Sequence, residues 1–346
     1  LTTPVIRAIR RAEPDAHLTY LVEPSAAPVV TANPHLDDVI VAPLRSGLPR
    51  WGGDAALALR LRRARFDVVL DFHGGPRSSL LTWLSGARRR IGYDVSGRGW
   101  MYSERVHRPR THRPRHSVEN QWDLLTQFMP GLAPPSVHDD PVEMPDDADA
   151  RARADDRLRA HGLDPHGPFV VMHVGAGNEF RRWPAQAFAA VVDGLHAQEP
   201  DRRMILTTGP AQAPAAEAVR QLAIARGVPG QAVTVVCDLD LAELRSLVGR
   251  ARLFLGGDSG PAHIASTTAV PMVVLFGPTT PQVWGPWRSR ALATETVDVG
   301  PLPCRPCRQR HCEPGDFRCL RGLAPDAVLA AAHRALTREA ARRTEP

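Results

Sequence analysis

The residues best suited to chemistry lie close together at positions 256–263, which read Gly-Gly-Asp-Ser-Gly-Pro-Ala-His. An apolar run precedes them and a run of small residues follows, a pattern that predicts a strand, a tight glycine turn and the start of a helix. Free backbone N–H groups and the positive dipole end make such a helix start attractive to phosphate. Because Ser259 could add a hydroxyl and His263 a ring N–H, the stretch predicts a phosphate-binding turn.

Asp258 does not fit a phosphate contact, because its carboxylate would repel the ligand. We expect it instead to cap the helix or to accept a hydrogen bond from a sugar or ribose hydroxyl. A strand-to-helix turn whose glycines serve only close packing explains the stretch equally well. These residues alone leave both interpretations open.

The same residues resemble a known family. Residues 258–263 (Asp-Ser-Gly-Pro-Ala-His) and 271–279 (Pro-Met-Val-Val-Leu-Phe-Gly-Pro-Thr) are similar to the C-terminal signature of glycosyltransferase family nine, the bacterial heptosyltransferase family. Further similar segments, which extend the resemblance over nearly the whole chain, are 14–22, 33–37, 116–120, and Gly-Ala-Gly at 175–177 followed by Arg-Arg-Trp-Pro at 181–184.

The resemblance implies an α/β fold of two Rossmann-like domains facing each other across a cleft, the GT-B arrangement. It also implies an inverting transfer of heptose from ADP-heptose to a lipid-linked or lipopolysaccharide-core acceptor, which is a glycolipid or oligosaccharide. A transferase that uses another nucleotide-sugar, a non-catalytic nucleotide- or glycan-binding module, and a sugar-nucleotide epimerase remain alternatives.

The resemblance places the nucleotide-sugar donor against turns of the second domain. The candidate donor-binding residues are Gly175, Ala176, Gly177, Arg181, Thr208, Gly209, Asp258, Ser259, Gly260 and His263. Arg181 stands where the family has a lysine, and we expect Arg181 and His263 to stabilise the charge of the leaving diphosphate. We therefore assign no metal and no cofactor. The family commonly has glutamates shortly after Gly209, and Gln212 could replace them as a hydrogen-bonding group.

The resemblance assigns acceptor binding and the catalytic base to the N-terminal domain. Arg77 and Ser78 stand where the family has a basic residue followed by serine, which makes them candidates for acceptor binding. A helix start with Ser78 as its cap is the alternative. The family's presumed base is an aspartate in a loop that would lie upstream of Leu1, so we expect this chain to turn over poorly. Asp71 is the first alternative base.

Length and composition agree with a two-domain enzyme. The chain has 346 residues, and its apolar strands alternate with helices, a pattern that predicts parallel sheets buried on both faces. A linker rich in proline and aspartate divides it into an acceptor-binding domain, 1–148, and a nucleotide-sugar-binding domain, 149–346. The net charge of +6, carried by arginine without lysine, suits a nucleotide-sugar or an anionic lipid. The few aromatic residues are not interleaved with basic ones, so we expect no nucleic-acid partner.

Neither a signal peptide nor an apolar run long enough to span a bilayer is found in the sequence. We therefore expect a cytoplasmic protein. The basic loop 107–116 is interpreted either as a solvated loop or as a peripheral contact with the inner face of the membrane.

Two further patterns suggest metal binding. Cys304, Cys307, Cys312 and Cys319 follow one another at short spacings, which fits a zinc site, an iron–sulfur site or reduced thiols. Residues 238–240 spell the Asp-X-Asp triplet of metal-dependent glycosyltransferases. Because Asp240 stands three residues before Glu243 at a predicted helix start, we interpret it as part of a capping box.

Overall fold

The computed structural model describes residues 1–43, 48–107, 115–305, 307 and 311–344. By its contacts the chain divides into two compact units, Leu1–Pro145 and Asp146–Pro346. The predicted basic loop falls largely on residues 108–114, outside the described residues. Among the residues described, no helix has both the length and the apolar character needed to cross a bilayer.

The first unit contains two small parallel sheets with helices around them. Strands β1 (Thr19–Val22) and β2 (Asp38–Val41) form one sheet, and β3 (Val68–Asp71), β4 (Arg89–Tyr93) and β5 (Glu104–Val106) form the other. The helices are α1 (Thr3–Ala12), α2 (Leu48–Ala64), α3 (Pro76–Leu84) and α4 (Ser117–Phe128), with 3₁₀ turns at Pro24–Val29 and Gly99–Met101. Most residues of β1 and β3 are half-buried, so these strands do not have the fully buried faces expected from the sequence.

The second unit is built on one six-stranded parallel sheet in the order β11-β10-β9-β6-β7-β8. Its strands are β6 (Phe169–His173), β7 (Arg203–Thr207), β8 (Val233–Val236), β9 (Leu253–Gly257), β10 (Met272–Phe276) and β11 (Thr294–Asp298). Its helices are α5 (Ala148–Ala160), α6 (Ala185–Gln198), α7 (Ala213–Ala225), α8 (Leu241–Arg250), α9 (Gly260–Ala265), α10 (Pro281–Trp284), α11 (Arg318–Arg321) and α12 (Pro325–Thr344). Short 3₁₀ turns span Glu179–Arg181, Pro210–Gln212 and Gly230–Ala232.

Both faces of this second sheet are buried, as the apolar strands predicted. Val170 and Met172 of β6 belong to one hydrophobic cluster, whereas Val171 between them belongs to the other. Every residue of β6 and β10 is buried. Side chains that alternate between two buried faces explain why these strands are continuously apolar.

The strand order of the second sheet creates a natural crevice. From β6 the chain proceeds outward to β7 and β8, then returns to the other side of β6 and continues through β9, β10 and β11. The direction of winding therefore reverses between β6 and β9. In open α/β sheets, ligands bind at the carboxyl ends of the strands beside such a reversal.

Candidate functional site

The two glycine turns predicted from the sequence both lie at this crevice. Strand β6 ends at His173, just before Gly175–Gly177, and the neighbouring strand β9 ends at Gly257, just before α9. Thr208 and Gly209 follow β7, which pairs with β6 on its other side. The fold thus brings together the turns that carry every candidate donor-binding residue except Arg181, which lies in the 3₁₀ turn just before α6.

Asp258 does not cap α9, contrary to one of the two roles expected for it. The N-cap is Ser259, whose hydroxyl donates to the carbonyl of Gly257 at 3.1 Å rather than capping the helix. The Asp258 carboxylate instead accepts a hydrogen bond of 2.6 Å from Thr279 Oγ1. The backbone N–H of Asp258 donates to the carbonyl of Leu275, which turns the residue away from the cap position.

Asp258 and His263 form a polar pair, and the charge of Arg181 acts on Asp258. His263 Nε2 lies 3.8 Å from Asp258 Oδ1, and both side chains are largely buried. Burial raises the pKa of Asp258, while the hydrogen bond from Thr279 and the positive charge of Arg181 act in the opposite direction. The positive charge of Arg181 thus acts on the same carboxylate that faces His263.

Arg181 offers a donor to a ligand. It closes the 3₁₀ turn Glu179–Arg181, and its guanidinium stacks against Phe180 at 5.7 Å from the ring centroid. Its Nε is buried and has no hydrogen-bond partner among the described residues. A buried N–H without a partner is costly, which makes Arg181 a candidate for contact with an anionic ligand.

Gln212 holds the first glycine turn in place. Its Oε1 accepts a hydrogen bond of 3.0 Å from the Ala176 N–H, and its Nε2 donates to the Ala176 carbonyl at 2.5 Å. A Cβ on Gly175 would lie only 2.7 Å from Gln212 Oε1, so a larger residue there would push the Gln212 amide away from the turn. The Ala176 N–H is therefore occupied within the protein, and Ala176 can contribute to the site only through the shape of the turn.

Thr208 is also occupied within the protein. Its hydroxyl lies 3.0 Å from the Gly209 carbonyl and 3.1 Å from Cys237 Sγ, and its side chain is buried. Thr208 shapes the wall of the crevice, and Gly209 begins the 3₁₀ turn that carries Gln212.

His173 and Thr207 belong to the site but were missed in the sequence. His173 Nδ1 and Thr207 Oγ1 are 3.1 Å apart, and both residues are buried. Burial lowers the pKa of His173 to about 4, so the ring is neutral near pH 7 and cannot repel a cationic neighbour. The sequence did contain a signal for these two residues, because each is a polar residue at the end of an apolar strand, and such strand ends line ligand sites.

In the first unit, Arg77 and Ser78 are engaged in local contacts. The Arg77 guanidinium donates to Asp54, to Glu23 and to the Pro43 carbonyl at distances of 2.6 to 3.1 Å. Ser78 Oγ accepts from the Gly75 N–H at 3.0 Å, so Ser78 lies at the third helical position and Gly75 is the N-cap. Both side chains fix the loop between β3 and α3.

Asp71, the alternative base, accepts hydrogen bonds from within the first unit. It is buried, and its Oδ1 accepts from the N–H groups of His73 and Gly74 at 3.0 Å. Its Oδ2 accepts a hydrogen bond of 2.6 Å from the Tyr102 hydroxyl, which also contacts Ser79 Oγ at 2.7 Å. All three hydrogen bonds come from groups of the first unit, so Asp71 helps to fix the loop after β3.

The four closely spaced cysteines lie together in the structure. Cys304, Cys307, Cys312 and Cys319 line one cavity of about 250 Å³ together with Phe180 and Pro278. No cluster of three or more side chains able to hold a metal ion occurs in the described part of the chain.

Asp240 caps α8 and forms the reciprocal capping box with Glu243, which confirms that interpretation of the Asp-X-Asp triplet.

The comparisons with known proteins agree with one another. The family model for glycosyltransferase family 9 (heptosyltransferase) matches residues 55–316. The lipopolysaccharide heptosyltransferase 3 of Escherichia coli is 28% identical over 318 residues, which cover 90% of this chain and 89% of the relative.

Solved structures share the fold. The glycosyl transferase family 9 protein of Veillonella parvula DSM 2008 has a TM-score of 0.79 at 22% identity, over 97% of this chain and 92% of that one. The ADP-heptose LPS heptosyltransferase II of E. coli has a TM-score of 0.74 at 17% identity, over 98% and 95%. These likenesses confirm the predicted α/β fold class of Rossmann-like domains, and the family match shows that this chain belongs to glycosyltransferase family 9, the heptosyltransferase family, and is a glycosyltransferase.

Proposed function

We propose that this glycosyltransferase moves heptose from ADP-heptose to a lipopolysaccharide-core acceptor, with inversion at the anomeric carbon. The observation that carries the proposal is the polar pair Asp258–His263 at the crevice of a family 9 chain, together with the buried Arg181 Nε that has no partner among the described residues. Related family members of similar length are heptosyltransferases, and one solved relative is named for ADP-heptose.

In the proposed reaction, the acceptor hydroxyl oxygen forms a bond to the anomeric carbon while the bond from that carbon to the diphosphate breaks. ADP leaves with the electron pair of the broken bond, and a base takes the hydroxyl proton. Arg181 supplies positive charge and a buried N–H to the departing diphosphate, and His263 donates a ring N–H to it. Groups aimed at the charge that develops in the transition state accelerate such a step.

Asp258 has a different part in the proposal. One of its oxygens is bound by Thr279, and the other faces His263. A carboxylate in this place orients the imidazole and can accept a hydrogen bond from a hydroxyl of the donor. The donor lies against the turns that contain Gly175, Gly177, Gly209, Ser259 and Gly260. Gln212 and Thr208 stabilise the conformation of these turns.

On the acceptor side, we propose that the loop between β3 and α3 binds the sugar or phosphate groups of the acceptor. Arg77 and Ser78 keep this loop in one conformation through their contacts with Asp54 and Gly75. We propose no base among the described residues. The proposed place of action is the cytoplasmic face of the inner membrane.

The test measures transfer directly. Purified protein is incubated with ADP-heptose and a lipopolysaccharide core that lacks its heptose, and mass spectrometry follows the acceptor. The proposal predicts a slow gain of one heptosyl group, released ADP, and a product of inverted anomeric configuration by NMR. Transfer from UDP- or GDP-sugars but not from ADP-heptose would contradict the donor assignment.

A further inference from the structure

Two tryptophans are exposed side by side on the first unit. Trp83 lies near the end of α3 and Trp100 in the turn Gly99–Met101, with 42% and 61% of their surfaces exposed. Their rings meet edge to face with centroids 5.6 Å apart. Leu80, one turn before Trp83, is 38% exposed. These three residues form a continuous apolar patch, here called the tryptophan patch, and exposed patches of this kind mark interaction surfaces.

Arginines lie near the two segments that carry the tryptophans. The guanidinium of Arg62 lies against Gly86 at the end of α3, and Arg88 is exposed two residues further on. Arg90 donates to the carbonyls of Ala87 and Met101 and so lies between the two segments that carry the tryptophans. Among the residues described, Arg62 and Arg88 form no ion pair. Their positive charges are therefore available to an anionic partner.

Acidic groups near the patch are fewer and partly neutralised. Asp94 lies close to Gly99, and its Oδ1 is 3.9 Å from Arg105 Nη1. Asp67 is exposed, and its carbonyl accepts a hydrogen bond from the backbone N–H of Arg89, which leaves the charge of the Asp67 carboxylate unchanged. The balance of charge around the tryptophans therefore remains positive.

An anionic bilayer surface fits this combination. Tryptophan prefers the membrane–water interface, where its ring is buried and its N–H remains hydrated. Each arginine close to an anionic lipid surface adds about 1 kcal/mol of attraction. A second copy of the chain fits less well, because a symmetric contact through the patch would bring arginines of both copies together.

We propose that the tryptophan patch docks this protein on the anionic surface of a lipid bilayer. Helix α3 connects the patch to the loop proposed for the acceptor, and its nine residues span about 13 Å. Arg98, just before the Trp100 turn, donates to the carbonyl of Gly74 in that loop at 3.3 Å. Docking would thus hold the loop near the lipid surface. This consequence rests on the proposed function, whereas the docking itself does not.

The experiment measures flotation of the purified protein with vesicles of phosphatidylcholine and phosphatidylglycerol, and with vesicles of phosphatidylcholine alone. We expect the wild type to float with the anionic vesicles, less so at high salt, and the tryptophan emission to be quenched by brominated lipid. The double variant Trp83→Ser/Trp100→Ser and the double variant Arg62→Glu/Arg88→Glu should each lower the partition coefficient at least about tenfold.

Matched control variants distinguish the tryptophan patch from a general effect of removing any exposed apolar side chain or any exposed positive charge. Val41→Ser removes a side chain that is 46% exposed on β2, and Arg252→Glu reverses an exposed charge of the second unit. Both controls should bind vesicles as the wild type does, and all variants should keep its melting temperature.

Three results would overturn the proposal. One is a tryptophan double variant that floats as well as the wild type. The second is an equal loss in the control variants. The third is a wild type that does not float with vesicles but forms dimers through the tryptophans, as shown by sedimentation. Because no sugar donor or acceptor is present, a failure of the transfer assay with normal flotation would count against the proposed function alone.

Discussion

Thr279 Oγ1 donates a hydrogen bond of 2.6 Å to Asp258 Oδ2 and joins the loop after β10 to the turn after β9. The two residues are 21 positions apart, yet the parallel pairing of their strands ends both at the same edge of the sheet. The bond also lowers the pKa of Asp258, which burial raises. Thr279 therefore helps to keep a buried carboxylate ionised beside His263 and Arg181.

The first prediction concerns this bond. Asp258→Ala and Thr279→Val should each lower the free energy of unfolding by about 1 kcal/mol, the usual net value of one hydrogen bond. Because both remove the same interaction and Asp258 does not cap α9, the double variant should cost little more than either single one. Urea unfolding measures all three. Thr280→Val is the control, since the neighbouring Thr280 makes no side-chain cap.

Additive losses in this double-mutant cycle would show that the two residues act separately. Asp258→Asn should unfold like the wild type, because its amide oxygen can still accept the hydrogen bond from Thr279. A large loss of stability in Asp258→Asn would mean that the charge, rather than the hydrogen bond, holds the turn.

The second prediction is a pH dependence that arises from His173. The pKa of this residue is about 4 in the folded protein because of burial, against 6.5 for a free side chain. Between these values the unfolded chain binds a proton that the folded chain does not, so stability must fall as the pH falls from 6.5 towards 4. The wild type should lose on the order of 3 kcal/mol over this range relative to His173→Gln.

Urea unfolding at a series of pH values measures this difference. His166→Gln serves as the control, because His166 is exposed, and its profile should follow that of the wild type. Parallel profiles for the wild type and His173→Gln would show that His173 can take up a proton in the folded state.

The third prediction concerns Gln212, whose amide satisfies both the N–H and the carbonyl of Ala176. A carboxylate could accept from the N–H but would place its second oxygen against the carbonyl. Gln212→Glu should therefore distort the Gly175–Gly177 turn and weaken ADP binding about tenfold, equivalent to about 1.4 kcal/mol. Calorimetric titration measures the dissociation constant. Gln231→Glu, an exposed change in the same unit, should bind ADP normally, and equal affinities in both variants would refute this role.

The fourth prediction separates two roles for Arg77. If its guanidinium mainly holds Asp54 and Glu23, Arg77→Lys should lower the free energy of unfolding by about 1 kcal/mol, because lysine cannot make several directed contacts at once. Arg105→Lys is the control, since Arg105 is more exposed and pairs only loosely with Asp94. A variant with unchanged melting temperature but a strongly raised acceptor KM would instead show that Arg77 binds the acceptor directly.

Local signals in the sequence were sufficient for parts of the fold. The apolar run, the glycines and Pro261 predicted the end of β9 and the start of α9. The three-residue spacing from Asp240 to Glu243 predicted the capping box, because both partners lie within one helical turn. Continuous apolar strands predicted a sheet buried on both faces, and this holds for the second unit.

Contacts between distant segments could not be predicted in the same way. Gln212 lies 36 positions from Ala176, and His173 lies 34 positions from Thr207. Each pair meets only because neighbouring parallel strands end at one edge of the sheet. The order of the strands in the sheet cannot be predicted from any single segment of the sequence. The cap expected of Asp258 was wrong for the same reason: the sequence did not show that Thr279 would reach its carboxylate.

The most direct test of the account is a calorimetric titration of ADP, UDP and GDP into the purified protein and into its Arg181→Ala variant. We expect ADP to bind the wild type more tightly than UDP or GDP do. We also expect Arg181→Ala to weaken ADP binding at least about tenfold, because the variant lacks the guanidinium proposed to bind the diphosphate. Binding of UDP or GDP in preference to ADP, or unchanged ADP affinity in Arg181→Ala, would contradict the account.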